Sequence, residues 1–248
     1  RRFVLPKIIK KFDNIITVSD YSKKIISEKF DINSNFISVI PNCIELDSFN
    51  FESNPKLENR EKIIFHIGGE PEYKNTFILL FAFNELPIKI KNEFKLKILG
   101  IRDPKIKLEY FKFINQNNLN DKIELLNYQT DIEVENLYKS SFMYIIPSKI
   151  EGFGIPIIEA MKFGCPIISS NSSCLPEIAG NAALYFESES ILDLKNKIEI
   201  LIKDPIETIS RIKNGYKNVL NYSKIKFDDK VESFLNNYIK NSKSEDFE

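Results

Sequence analysis

No stretch of this sequence stays apolar for the ~18 residues that a membrane span requires, although 43% of its 248 residues are hydrophobic. That content suffices for one large or two small domains with real cores. Charge of one sign is missing too, since 35 basic residues face 35 acidic ones. No global field therefore draws the chain to nucleic acid, and no nucleic-acid partner is expected. Cysteine is scarce: Cys43, Cys165 and Cys174 form an odd set without metal-ligand spacing. They read as buried free thiols in a reducing compartment. Histidine occurs once, as His66 within the apolar run Ile63–Ile67, where a structural role is expected. No Ser/His/Asp or Cys/His set can be assembled around it. The dinucleotide fingerprint Gly-x-Gly-x-x-Gly fails, because Ile157 stands three residues after Gly154 and Gly68–Gly69 are adjacent; a dinucleotide oxidoreductase is thereby disfavoured.

The opening RRFVLPKIIKKF has the look of a basic leader, but Lys7, Lys10 and Lys11 interrupt its apolar residues. No small-residue cleavage site follows, so it does not read as a signal peptide. A helix from a preceding domain is expected, with an amphipathic membrane-surface helix as the alternative. The chain opens on Arg rather than Met, as expected of a fragment.

What is present alternates. Apolar-rich strands are expected at 14–19, 36–40, 62–68, 95–100, 122–126, 142–147, 166–169 and 182–186. Helices are expected near 20–30, 75–86, 104–117, 132–140, 156–163, 191–202, 205–220 and 226–240, with a single turn at 174–179 and a frayed polar end from Asn241. Strands apolar on both faces, alternating with helices, predict an α/β fold built on a doubly wound, Rossmann-like parallel sheet. The polar connection from Asp47 to Arg60 is the expected domain boundary. It divides a remnant at 1–45 from a complete domain at 46–225 and a closing helix and tail at 226–248.

One segment carries more than packing: PSKIEGFGIPIIEAMKFGCPIISSNSSCLPEIAG, residues 147–180. An apolar run enters a turn at Gly152 and Gly154, and Pro156 is placed to open a helix that stops at Gly164. The amides at such a helix start make an anion site. Glu151 and Glu159 flank it with seven residues between them. A helical side chain leans toward its own N-terminus, so Glu159 can face the ligand that the turn holds. A carboxylate repels phosphate, but its two oxygens suit vicinal hydroxyls. Phosphate beside a diol suggests a sugar nucleotide.

EGFGIPIIEA with this Glu-x7-Glu spacing resembles the signature of the retaining glycosyltransferases of family 4, which have the GT-B fold. NIITVSDYSKKII is similar to that family's interdomain segment, and ISVIPNCIELDSF to its IPNG(I/V)D stretch, with Cys43 in place of Gly. HIGGEPEYKN resembles its GR…KN loop, and SCLPEIAGNAALYF the segment after its signature helix. The likeness covers nearly the whole chain and implies the C-terminal, donor-binding half of a GT-B enzyme, with most of the acceptor domain absent. It further implies that Lys74 contacts the donor diphosphate, Glu151 the sugar and Glu159 the ribose. Lys74 and Glu151 would be the catalytic pair. Gly68, Gly69, Gly152, Phe153, Gly154, Ile155 and Pro156 would form the loops around the donor.

Stabilising a departing diphosphate needs positive charge. The chain contains no Asp-x-Asp to hold a metal, so Lys74 and the helix start are expected to serve, with no cofactor. Gly69 stands where the family often has Arg, and Tyr73 where a second Arg is common, which removes two cations. Losing one charge-assisted contact costs roughly 1.5–3 kcal/mol, or about tenfold to over a hundredfold in rate. The expectation is a cytoplasmic hexosyltransferase, at the inner membrane face if peripherally bound. It would take a UDP-, GDP- or ADP-sugar and a glycan or lipid-linked acceptor, as in lipopolysaccharide synthesis. The alternatives are a non-catalytic nucleotide-sugar module lacking its acceptor domain and a GT-B epimerase, which shares the fold but not this signature.

Overall fold

The structure is a computed structural model that describes residues 8–9, 12, 14–46, 51 and 55–245, the side chains of 241–245 excepted. Most of the opening segment and the boundary residues 47–50 and 52–54 lie outside the described residues. In chain order the strands are β1 (Ile15–Thr17), β2 (Ile37–Val39), β3 (Glu61–Ile67), β4 (Lys95–Leu99), β5 (Ile123–Leu126), β6 (Ser141–Ile146), β7 (Ile167–Ser170) and β8 (Ala183–Phe186). The helices begin with α1 (Asp20–Phe30), α2 (Ile78–Asn84), α3 (Ile88–Glu93), α4 (Pro104–Gln116) and α5 (Asp131–Ser140). They continue with α6 (Ile155–Lys162), α7 (Leu175–Ala179), α8 (Ile191–Lys203), α9 (Pro205–Val219) and α10 (Lys224–Glu245).

The chain divides into two compact units, Arg1–Ser48 with Leu220–Glu248, and Phe49–Val219. In the first, β1 and β2 pair in parallel and α1 connects them. Ser19 caps that helix by accepting from the amide of Ser22 at 3.1 Å, satisfying one orphan donor. The residues expected to fray from Asn241 instead continue α10 to Glu245; no Gly or Pro interrupts them, so nothing local ends the helix.

The second unit is a six-stranded, wholly parallel sheet in the order β5-β4-β3-β6-β7-β8. All six residues of β6 are buried, as a central strand covered on both faces requires. Local chemistry sets the helix starts. Asp103 caps α4, with Pro104 in its first turn, and Thr130 with Glu133 forms a reciprocal capping box on α5. The helix expected over 75–86 is broken. A 3₁₀ turn occupies Glu72–Lys74, Asn75 is left-handed at φ 52°, and α2 begins only at Ile78. Beyond it, Pro87 separates off α3, which was not anticipated; Pro disfavours helix in the residue before it.

Chain order runs outward from β3 to β5, then returns to β6 and proceeds to β8 on the other side. The direction of winding therefore reverses between β3 and β6. The carboxyl ends of these two strands are the switch point, where doubly wound sheets place their ligand sites.

Candidate functional site

The loop after β3 leaves the sheet at that switch point. Gly68 is required by close approach, since a Cβ there would meet His66 Nε2 at 2.5 Å and Thr76 Oγ1 at 2.7 Å. Beneath it the buried His66 ring places Nδ1 2.7 Å from the Ile145 carbonyl oxygen and Nε2 3.1 Å from Thr76 Oγ1. A carbonyl only accepts, so Nδ1 carries the proton and Nε2 accepts from the threonine. Burial, with the charge of Lys74 adding to it, outweighs the Ile145 bond and lowers the imidazole pKa to about 4.

A buried neutral histidine makes stability pH-dependent. The unfolded chain takes up a proton near pH 6.5, whereas the folded one refuses it down to about 4. The contribution is fully present above the unfolded value and is lost as pH falls through that window, by roughly 3 kcal/mol in all. Urea titrations at pH 7 and 4.5 should show it, and His66→Gln should flatten that part of the slope.

Lys74 closes the 3₁₀ turn, and its Nζ donates to Glu151 Oε1 at 2.7 Å. Ser148 Oγ donates to the same oxygen, also at 2.7 Å. Two further bonds join the loops after β3 and β6. The Lys149 amide donates to the Tyr73 carbonyl at 2.7 Å, and Asn75 Nδ2 to the Pro147 carbonyl at 3.3 Å. A cation and a carboxylate 77 residues apart are thus brought into contact across the switch point.

Past Glu151, Gly152 is exposed, and a Cβ there would meet nothing within 4 Å. Phe153 is buried, while Gly154 adopts φ 98° and begins α6 without a side-chain cap. Only glycine takes this conformation freely. Pro156 is the second helical residue rather than the first, which is Ile155. Pro156 has no N–H to offer, and the Ile157 N–H donates to the Gly154 carbonyl at 2.9 Å. The anion site expected at this helix start therefore narrows to the amides of Gly154 and Ile155.

Glu159 sits deeper on α6, half-buried, and its Oε2 accepts from the Tyr138 hydroxyl at 3.0 Å. One of the two oxygens expected to face a diol is already engaged. Burial raises the Glu159 pKa above the usual carboxylate range, against the Tyr138 hydrogen bond. The neighbouring Tyr144 hydroxyl is buried with no hydrogen-bond partner at ordinary geometry among the described residues. Burial, then Glu159, then Glu151 push its pKa up, so it lies within reach of the charge on both acids.

A cleft of about 610 Å³ opens beyond the carboxyl ends of β3, β4 and β5. Gly68, Gly69, Glu70 and Pro71 form one wall, with Arg102, Lys107, Asn127, Tyr128 and Gln129 around it. Of the residues expected from sequence, Gly68 and Gly69 line this cleft, and Lys74, Glu151 and Glu159 do not. The loop after β3 is what connects the two places. Its first half walls the cleft and its second half holds Lys74 against Glu151. Arg102 and Asn127–Gln129 were missed in the sequence, although each lies just past an expected strand end, where crevice residues belong. Glu70 was missed too: its carboxylate accepts from the Arg102 amide at 2.7 Å and from the Asp103 amide, joining the loops after β3 and β4.

A six-stranded parallel sheet whose loops join a lysine to a carboxylate at the switch point, with a polar cleft over its β3–β5 side, defines a doubly wound α/β domain. The chain belongs to the glycosyl transferases group 1 family, which it matches over residues 47–218. It is 28% identical over 214 residues to the O-antigen chain mannosyltransferase RfbU of Salmonella typhimurium, covering 86% of this chain and 57% of that protein. The chain thus spans little more than half of this curated relative. Sucrose-phosphate synthase from Thermosynechococcus elongatus superposes with a TM-score of 0.81 at 20% identity, over 95% of this chain and 61% of that one. Anabaena HepE in complex with UDP-glucose does so with a TM-score of 0.77 at 16% identity, over 91% and 64%. These likenesses establish the fold, one half of a GT-B glycosyltransferase, matched to its C-terminal portion. Among the described residues no helix is long and apolar enough to cross a membrane.

Proposed function

We propose that this chain is the donor half of a retaining hexosyltransferase that uses a nucleotide-diphosphate sugar without a metal. The observation that carries the reading is the Lys74–Glu151 contact at 2.7 Å across the switch point, beside a cleft large enough for part of a nucleotide. Lys74 and the amides of Gly154 and Ile155 would take the diphosphate, where leaving-group charge develops. Glu151 would hold the sugar, and Glu159, oriented by Tyr138, the ribose. Residues 46–225 would be the donor domain, 1–45 the end of the acceptor domain, and 226–248 a helix packed back on that N-terminal part. The relative named as an O-antigen chain mannosyltransferase supports a hexose passed to a glycan acceptor; a lipid-linked acceptor at the cytoplasmic face of a membrane is part of the same proposal. The UDP-glucose complex of the structural neighbour supports a sugar-nucleotide donor. Gly69 and Tyr73, in place of family arginines, favour the second reading, a nucleotide-sugar-binding module without transfer.

The test is a melting-temperature panel of UDP, GDP, ADP, UDP-glucose and GDP-mannose. At least one sugar nucleotide should raise the melting temperature equally with and without EDTA. Glu159→Ala should weaken nucleoside diphosphate binding, while Glu151→Ala should mainly impair sugar recognition and should not weaken the bare diphosphate. No shift with any nucleotide would sink both readings. Binding without product in the presence of an acceptor would leave the module.

A further inference from the structure

The loop that carries Glu151 is held from two sides. Toward β3 it meets Lys74, Tyr73 and Asn75, and a donor that drew Lys74 to its phosphates would break the contact to Glu151 itself. On the other side it meets the segment after β7, which no functional role yet explains. Ser170 Oγ donates to the Ser148 carbonyl at 2.5 Å. The Glu151 amide donates to Ser173 Oγ at 3.0 Å. The Cys174 thiol lies 3.2 Å from the Glu151 carbonyl oxygen and 3.3 Å from that of Phe153. Both peptide groups flanking the Glu151 side chain are therefore fixed by side chains 22 and 23 residues downstream.

The geometry of this segment is specialised. Ser173 is left-handed at φ 55°, a conformation disfavoured for a residue with a Cβ, and it lies just before the first residues of α7. That conformation accompanies an Oγ turned back to the Glu151 amide while Cys174, fully buried, faces the turn. A hydrogen-bond network of this kind, made to backbone rather than to ligand, keeps its shape whether or not Lys74 has left Glu151.

We infer that Ser173 and Cys174 are positioning residues that hold the Glu151 backbone in register with the donor sugar, independently of the Lys74 ion pair. The inference rests on the proposed donor-binding function, so its test has an arm that needs no ligand. Ser173→Gly removes the acceptor while suiting the left-handed backbone, so the fold should survive. Cys174→Ala removes the thiol, and Cys174→Ser restores a donor of similar size. In the free protein, amide exchange at Glu151 should quicken about tenfold in Ser173→Gly, with β6 unchanged, as expected for one lost hydrogen bond. Unchanged exchange would overturn the clamp whatever the chain binds.

The second arm is calorimetry with UDP against UDP-glucose, or with the GDP pair if that base is preferred. Ser173→Gly and Cys174→Ala should bind the sugar nucleotide about tenfold more weakly and the bare diphosphate as before. Cys174→Ser should recover most of the loss. Equal losses for both ligands, or none, would overturn the positioning role. Should the unaltered chain bind no nucleotide, the proposed function fails, and the exchange result still decides the clamp.

Discussion

Arg60→Ala is expected to lower the stability of the 49–219 unit by about 3 kcal/mol. The Arg60 guanidinium donates to five carbonyls, those of Tyr138, Lys139 and Ser141 at 3.1, 3.0 and 2.8 Å and those of Phe163 and Gly164 at 3.1 and 2.6 Å. The Tyr138 and Lys139 carbonyls end α5, those of Phe163 and Gly164 follow the last residue of α6, and that of Ser141 opens β6; at the two helix ends orphan acceptors and the negative pole of the helix coincide. One planar, permanently charged group thus satisfies two helix termini and joins them at the amino end of β3. Alanine would leave these acceptors to whatever water can enter. Lysine should recover little, because a single ammonium cannot span both termini as the fork does. Urea denaturation of the three proteins measures this directly. A loss below about 1 kcal/mol for the alanine variant would mean that water replaces the guanidinium almost freely.

Arg60 also shows where the sequence is silent. It closes the stretch 47–60, whose polar, unpatterned residues read only as a connection, and nothing local reveals that its side chain reaches carbonyls up to 104 residues away. The sheet was legible because each strand is its own apolar run, and burial on both faces leaves a mark on consecutive residues. The turn at Gly152 and Gly154 with its following helix was legible for a similar reason, since glycine, proline and helix act within a few residues. The division of the 75–86 helix was not, because the left-handed Asn75 is a choice made by the loop that carries Lys74 toward β6. Tyr138 beneath Glu159 and the Ser173–Cys174 contacts belong to the same class. Each is a contact between neighbouring strand–helix units that is visible only once the strand order is known. Motif spacing located Glu151 and Glu159, but the partner that orients each acid was outside its reach.

That partnership makes the last prediction one of opposite signs. In the free protein Lys74 is paired with Glu151, their side chains 30% and 13% exposed. A diphosphate that needs the lysine must compete with a carboxylate already 2.7 Å from it. Glu151→Gln removes the competing charge while keeping size and the capacity to meet Ser148. It should therefore bind a bare nucleoside diphosphate about tenfold more tightly, the worth of one partly exposed charge-assisted contact. Transfer should nonetheless fall by about a hundredfold or more, because the amide cannot supply the negative charge facing the sugar. Lys74→Met should do the reverse to binding, weakening the diphosphate by about tenfold to a hundredfold, and should abolish the gain when combined with Glu151→Gln. Calorimetry on the two single variants and the double variant closes the cycle. If Glu151→Gln instead loosens the diphosphate, the ion pair is not a competitor for Lys74, and the carboxylate is supporting the lysine in its phosphate-binding pose.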